Sequence, residues 1–499
     1  MEGPIYIRPD NPQSVDNVIV TMRIVIIGSG PCGLGAAWRA QEVVRQGYQN
    51  LEWKVVEQEQ NPGGLAKTIV DEQGFLWDIG AHVIFSHYAY FTSLLDIALP
   101  SEEWSIKKRE AWVWMRNTCI PYPLQQNLYR LPNDEIIRCI DGLLEVEKKR
   151  LTFNKPRTFR DWLEQSFGTG LCETFMFPYN FKVWACPPEK MNVEWMGERV
   201  ATVDVSKVIA NVILKNDDGG WGPNSTFRYP KHGGTGAIWT GLYNKLPAKN
   251  FHFLKSVTSI DVAKKEIAYS DGSNERYDAI ISTMPLNRLC CIVKGTSLSP
   301  DIIQKKASQF RYSSSHIVGF GINGQPPLLL QDKTWLYFPE DDCPFYRVSV
   351  FSNFASENVP RPGEQWSLMC EIAESLDKPV EHDKVVAAAE QGLKNTKIID
   401  DRTEIISRFH IRLEHGYPTP FCGRDLLCEE ISDELELFQI YSRGRFGSWR
   451  YEIANQDHSV MQGVEAIDRI LFGTEEMTIK HSNIVNQNRD TKGRQAMSV

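Results

Sequence analysis

The pattern of apolar and polar positions becomes regular at Met22. Ile24 to Ile27 is an apolar, β-branched run, the composition of a strand buried on both faces. A glycine-rich turn follows, Cys32 to Val44 has a helical period, and a second apolar run, Trp53 to Val56, ends at Glu57. Residues 71–100 predict a loop, a short strand ending at Ile79, the segment Gly80 to Phe85 and a helix over Tyr88 to Ala98. Residues 104–125 alternate as antiparallel strands do, and the prolines around Tyr122 suit a sheet edge. From Leu131 to Leu214 the period becomes helical, with Thr158 at a cap position and Gly168 and Gly170 as breaks between helices. Strands return over residues 251–284, with a hairpin signal at Asp271 and Gly272, and Tyr277 to Thr283 reads as a strand rejoining the first sheet. His316 to Phe409 holds several strands of an expected antiparallel sheet, interrupted by a helix over Val385 to Leu393. A last strand, Phe438 to Tyr441, leads to a helix over His458 to Leu471.

Gly28, Gly30 and Gly33 stand at GxGxxG spacing between the first strand and its helix, where backbone N–H groups and the positive helix end can cradle a pyrophosphate. Glu57 lies 24 positions after Gly33, at the end of the second strand, where a carboxylate can accept both hydroxyls of an adenosine ribose and disfavours a 2′-phosphate. The expected class is therefore α/β, with a Rossmann-like dinucleotide domain assembled from 22–100, 218–298 and 440–480. Residues 126–217 form a helical domain, and 101–125 with 299–439 an antiparallel sheet domain. Residues 1–21 read as a flexible extension and 481–499 as a flexible tail.

Composition narrows the choice. At 499 residues and 42% hydrophobic content the chain can bury the cores of two or three domains. A net charge of −8 and a pI near 5.8 give no general attraction to nucleic acid, so anion binding falls to local arginines. No apolar run approaches a membrane span and the N-terminus has no signal-peptide core, so a cytoplasmic protein without a membrane partner is expected. The 11 cysteines, without CxxC spacing or paired histidines, fit reduced thiols and no metal site.

Four constellations could carry chemistry. Tyr122 to Gln125 offers a stacking face and an amide to a nucleobase, although an edge-strand aromatic beside a solvated glutamine accounts for it as well. Phe175 to Trp184 is an aromatic helix end that a core corner explains, except for Asn180, whose amide could reach a ribose. Arg199, Arg347 and Arg445 sit among aromatic or small residues, where planar guanidinium forks hold phosphate oxygens; single arginines are otherwise surface charge. Tyr337, Tyr417 and Tyr451 have hydroxyls suited to phosphate oxygens, with core packing the competing account. His82, beside Gly80, is either a structural histidine or a cofactor contact. No GxSxG elbow, HExxH pair or Walker loop supports a hydrolase or nucleoside-triphosphatase.

Asn61 to Ala66 resembles the Gly-Gly segment that continues phosphate and ribose contacts in two-dinucleotide-binding-domain flavoproteins, which favours FAD over NAD and would add Gly63, Gly64 and Leu65 to the cofactor's neighbours. Over Met22 to Asn483 the chain is similar to eukaryotic-type UDP-galactopyranose mutases, through GSGPCGLGAA, NPGGLAKT, GAHVIFSHY, PYNFKVWA, WGPNSTFRYP, WLYFPEDDCPFYR, HGYPTP and SRGRFGSWRYEIANQDHS. That resemblance implies an FAD domain, a helical domain and a six-stranded antiparallel sheet. It implies interconversion of UDP-galactopyranose and UDP-galactofuranose, with reduced flavin N5 attacking the anomeric carbon and NADPH or NADH as reductant. It places Tyr122 and Gln125 at uracil, Asn180 at the ribose, and Trp184 and Trp335 on the pocket wall. Arg199 and Arg347 would clamp the diphosphate, with the hydroxyls of Tyr337, Tyr417 and Tyr451. Asn224, on a glycine-rich flap from Gly219, and Asn455 would reach the sugar. His82 would lie on a loop beneath the flavin that shifts with its redox state, and Gly236, Arg445 and Gln456 would line the cofactor. Leu124 and Phe354 depart from the family pattern, Phe354 where fungal members carry a tyrosine that reaches the diphosphate. The family includes monomers, dimers and tetramers, so a homo-oligomer is allowed. The rival reading is a flavin oxidoreductase of the amine-oxidase or desaturase type, which shares the opening motif.

Overall fold

The computed structural model describes residues 21–196, 200, 202–219 and 225–487. Arg199, Asn224, most of the expected flap and nearly all of the expected N-terminal extension lie outside the described residues.

A strand over Met22–Ile27 (β1), a helix over Pro31–Arg45 (α1) and a strand over Leu51–Val56 (β2) form the first unit, as the apolar runs predict. β1 pairs in parallel with β2 on one side and with Ala279–Ser282 on the other. Ile440–Ser442 and Phe251–His252 extend the sheet to five parallel strands. Parallel strands need covering on both faces. One face carries α1 and the helix Gln456–Phe472 over Ile24, Ile26 and Val55; the other buries Val25, Ile27 and Val56 beneath Leu286, Ile431 and Trp449. The two helices approach backbone to backbone at Gly35 and Gly463, where an added Cβ would stand 2.4 Å from the Val460 oxygen and 2.0 Å from the Cys32 oxygen. The hairpin predicted at Asp271 and Gly272 turns between Glu266–Tyr269 and Asn274–Arg276.

The second sheet has seven strands, one more than the resemblance implies, and it is mixed. Ile405–Pro418, Tyr312–Asn323, Gln365–Glu374, Arg347–Val350 and Trp335–Tyr337 run antiparallel in that order. Trp335–Tyr337 then pairs in parallel with Ala111–Val113, so the hairpin of Ala111–Met115 and Thr118–Pro121 is added at the edge. Its two faces part along the strand period: Val318, Phe320 and Cys370 pack under the helix Val385–Asn395, while Ile317 and Met369 pack with Phe75, Trp77 and Phe354.

Helices Asn133–Lys149, Phe159–Leu171, Phe177–Trp184 and Val205–Leu214 enclose a separate core around Leu143, Phe167 and Met176. Thr158 caps its helix as expected: its hydroxyl accepts from the Asp161 N–H at 3.1 Å while the Asp161 carboxylate accepts the Thr158 N–H at 2.9 Å. Gly168 breaks the helical backbone as expected, at φ +69° and ψ 167°, so Phe159–Leu171 is two helical stretches joined at a kink. Both Gly168 and Gly170 also lie against the backbone of Asn133–Lys149, where a Cβ would meet oxygens at 2.3 and 2.1 Å.

The C-terminal region is more structured than its polarity suggests. Glu476 is 2% exposed and grips Arg443 through two bonds of 2.5 and 2.6 Å, and Ser482–Gln487 is helical, with Asn486 bonded to His458. Among the described residues no helix is long and apolar enough to cross a membrane.

Candidate active site

Where β1 meets α1, the chain must turn within a few residues, and Gly28 does so at φ +97°, a conformation side chains resist. Gly33 lies behind the turn with no room for a side chain: a Cβ there would stand 1.9 Å from the Gly28 oxygen. Gly30 faces the second glycine segment, and a Cβ on Gly64 would come to 3.1 Å from the Gly30 Cα. Gly63, at φ +115°, fixes that segment by donating its N–H to the Ser29 carbonyl at 3.0 Å. The two glycine turns thus leave backbone N–H groups at the end of α1 open to an anion. Glu57, 7% exposed, accepts from the Ser29 N–H and hydroxyl at 2.7 and 2.8 Å and from the Glu59 N–H at 2.9 Å. Those bonds hold the carboxylate in place, and its remaining lone pairs can accept ribose hydroxyls.

A cavity of about 1070 Å³ runs from this turn to a cluster of tyrosines. Gly28, Gly30, Glu57, Gly64 and Leu65 line its first part, and Gly80, His82, Arg445, Asn455 and Gln456 its middle. Tyr122, Tyr337, Arg347, Tyr417 and Tyr451 line the far part. The volume exceeds that of most single-ligand pockets and suits a dinucleotide together with a substrate.

The middle of the cavity is fixed from behind. Asp78, fully buried, accepts from Thr68, Tyr229 and Thr235 and so ties the strand before Gly80 to the turn before the helix Gly236–Tyr243; burial pushes its carboxyl up to about 6. Gly236 belongs to this support: its N–H donates to Thr68 at 2.8 Å, and it does not line the cavity, contrary to expectation. Burial above all, then the Arg445 charge, push the His82 imidazole down to about 4, so it is neutral at pH 7. Its Nδ1 is buried without a hydrogen-bond partner among the described residues, a polar atom waiting for a ligand. Arg445 spans the Gly416 and Ala454 carbonyls and lies 4.6 Å from the Tyr417 ring centroid. Gln456 accepts from Trp239 at 3.1 Å, and Asn455 stands at the N-cap position of the helix that follows without a side-chain capping bond.

At the far end, Arg347 donates through Nε and Nη2 to Glu371, both at 2.7 Å, which turns the other edge of its fork toward the cavity it lines. Glu371, 2% exposed, also accepts from the Tyr346 hydroxyl at 2.8 Å and the Ala81 N–H at 3.3 Å. Burial alone would raise its carboxyl, but the Arg347 guanidinium and these bonds hold it below the usual range. The residue thus joins the arginine to the loop that carries His82. The Tyr122 and Tyr337 rings lie 5.0 Å apart, inclined at 53°, and Tyr417 and Tyr451 lie 5.9 Å apart with Trp184 behind them. Burial raises the Tyr417 hydroxyl above its ordinary value, so it is a neutral donor at pH 7.

Five further expectations shift. Trp184 and Trp335 are each 3% exposed and stand behind the wall: Trp184 packs on Tyr451, and Trp335 donates to the Tyr337 hydroxyl at 2.6 Å. Asn180 spends its amide on the Met176 carbonyl at 2.7 Å within its own helix. Gln125 is 2% exposed and does not line the cavity. Phe354 is fully buried among Phe227, Tyr229, Trp335 and Phe351, away from the cavity. The residues missed are Glu371, Asp78 and Arg109, the last on the cavity wall beside the Tyr122 ring. Glu371 had a signal: it is the one acid inside the apolar run Trp366 to Ala373, and a charge buried in a strand must be paired.

The family described as flavin-containing amine oxidoreductase matches residues 32–389. The chain belongs to that family, and the glycine turns, the anchored Glu57 and the long cavity are those of a flavoprotein. A crystal structure of reduced UDP-galactopyranose mutase superposes with a TM-score of 0.90 at 45% identity, covering 94% of this chain and 98% of that one. Within the family, the chain is one of the UDP-galactopyranose mutases, an isomerase. More distant structures share the fold alone: a putative protoporphyrinogen oxidase from Exiguobacterium sp. 255-15 at 15% identity and TM-score 0.69, covering 91% and 99% of the two chains, and putrescine oxidase bound to putrescine at 12% and 0.60, covering 91% and 99%.

Proposed function

We propose that this chain interconverts UDP-galactopyranose and UDP-galactofuranose with FAD bound in the reduced state, NADPH or NADH serving as reductant. The observation that carries the reading is the Arg347–Glu371 pair, which aims a guanidinium edge into a tyrosine-lined pocket continuous with the dinucleotide turn. The glycine turns and Glu57 would hold the adenosine diphosphate half of the cofactor, and Gly80, His82 and Gln456 would flank its ring system. When bound, the reduced flavin supplies an electron-rich N5 as nucleophile toward the anomeric carbon. The work of the chain is placement and charge. Arg347 takes up charge developing on the departing diphosphate, and Tyr337, Tyr417 and Tyr451 donate hydroxyls to its oxygens. The Tyr122 ring offers a stacking face to uracil. Arg199 completes the clamp in this reading, Asn224 and Asn455 reach the sugar, and a homo-oligomer is compatible with it. Removing one such charge-stabilising donor typically costs 10²–10³ in kcat.

The test is chromatographic. The purified yellow protein, incubated with UDP-galactofuranose, should form UDP-galactopyranose after dithionite treatment and not without it. Arg347→Ala should keep the flavin and lose nearly all conversion. Absence of conversion, together with substrate-dependent oxygen consumption in the presence of an amine, would favour the oxidase reading and overturn this one.

A further inference from the structure

On the face of the seven-stranded sheet opposite the flavin cavity, histidines converge on one carboxylate. Along Gln365–Glu374, Glu371 points to the cavity and Glu374, three residues on, to the outer face beneath the helix Val385–Asn395. Glu374 Oε2 meets His316 Nε2 at 3.1 Å, and its Oε1 meets His382 Nε2 at 2.9 Å. The donor atoms of these three residues lie within 4.8 Å of one another. Behind them, His316 Nδ1 meets His410 Nε2 at 3.0 Å, with the two rings stacked at 7°.

We propose that His316, His382 and Glu374 form a binding site for one divalent transition-metal ion of the zinc type. Two imidazoles and a carboxylate are a donor set that suits zinc and disfavours magnesium or calcium, which prefer all-oxygen shells. Ligands on a tetrahedral zinc stand about 3.3 Å apart; the two histidine–carboxylate separations are already close to that, and the imidazole nitrogens of His316 and His382, within 4.8 Å of each other, close the rest by a rotation of the exposed His382 ring. His410 is placed as the outer partner that such sites use: with metal on His316 Nε2, the ring proton sits on Nδ1 and is donated to His410 Nε2. His316 is fully buried while the His382 side chain is 50% exposed, so the site opens to solvent on the His382 side and a water can take the fourth position. Arg412, bonded to Glu374 Oε2 at 2.6 Å, orients the carboxylate and opposes the ion's charge, which makes binding reversible. The ion would tie the turn His382–Lys384, and the helix after it, to two central strands.

The experiment uses the tag-free, flavin-loaded full chain, titrated calorimetrically with zinc chloride and spectroscopically with cobalt(II). One zinc per chain is expected, with a tetrahedral cobalt spectrum lacking a thiolate charge-transfer band. His382→Ala, on an exposed turn, should weaken zinc binding at least tenfold, and His410→Ala roughly 10–100-fold. Absence of saturable binding overturns the proposal. So does a thiolate band, which would assign the ion to the exposed Cys291 or Cys422, or a loss below tenfold in His382→Ala.

Discussion

Replacing Glu371 by glutamine keeps the volume of the side chain and removes its charge, which isolates what the Arg347 pair contributes. The Glu371 side chain is 2% exposed and that of Arg347 19%, so each partner loses most of its hydration on folding. Removing one member of such a pair typically costs about 3–5 kcal/mol, because the other is left buried and uncompensated. Arg347 borders the cavity, where water or an anion can reach it, so Glu371→Gln should fall at the lower end, about 3 kcal/mol. Arg347→Met strands the more deeply buried partner and belongs at the upper end, about 5 kcal/mol. That loss should shrink on acidification, because a carboxyl without its cation has its pKa raised by burial and sheds the penalty on taking up a proton. The double variant Arg347→Met with Glu371→Gln leaves no unpaired charge and should return to within about 2 kcal/mol of wild type. The assay is urea denaturation of the flavin-loaded protein, followed by intrinsic fluorescence and analysed as a double-mutant cycle. A coupling energy of at least about 2 kcal/mol is expected. Single losses that add within about 0.5 kcal/mol would refute the reasoning and reduce the pair to a surface-like contact.

Gly33→Ala forces a methyl group into the Gly28 oxygen 1.9 Å away, so the turn must open; stability should fall by about 1–3 kcal/mol and the chain should emerge from gel filtration without flavin colour. For His82, the folded-state pKa near 4 lies below the unfolded 6.5, so the stability it contributes is complete above pH 6.5 and declines as pH falls toward 4. The loss over that window is up to about 3 kcal/mol; the difference in urea midpoint between wild type and His82→Gln at pH 7 and pH 4.5 measures it, and parallel shifts would refute it. A chain ending at Gly473 loses Glu476 and leaves Arg443, 2% exposed, without its main partner, so it should express as insoluble protein; a soluble, flavin-bound product would mean that the C-terminal segment is dispensable.

The dinucleotide unit was legible because its signals are local: an apolar strand, glycines at turn spacing and a helix follow one another within 25 residues. The helices between Asn133 and Leu214 followed from their period. The parallel pairing of Trp335–Tyr337 with Ala111–Val113 joins segments more than 200 residues apart, and no short stretch of sequence encodes that choice of neighbour. Within the site, Gly28, Gly30, Gly64, Gly80 and the four tyrosines line the cavity, while Gly236, Asn180 and Trp184 are drawn away from it by ordinary packing. An asparagine inside a helix finds the carbonyl four residues back, and a tryptophan beside tyrosines fills the space behind them. Glu371 and Asp78 stayed hidden because a buried carboxylate takes its meaning from partners on other elements, which the chain order does not reveal.

The strand order of the parallel sheet has a consequence for how the chain is made. Its members come from residues 22–56, 251–252, 279–282 and 440–442, and the helix that seals α1 ends at Phe472. During synthesis, β1 and β2 leave the ribosome with their flanks open and wait for almost the whole remaining chain before both edges and the covering helix arrive. At about 5–20 residues per second, that wait is on the order of tens of seconds. The helices of residues 133–214 are close in sequence and can pack on one another meanwhile. The nucleotide-binding half is therefore the first to be made and the last to close, so its apolar strands are the segment most in need of chaperone cover.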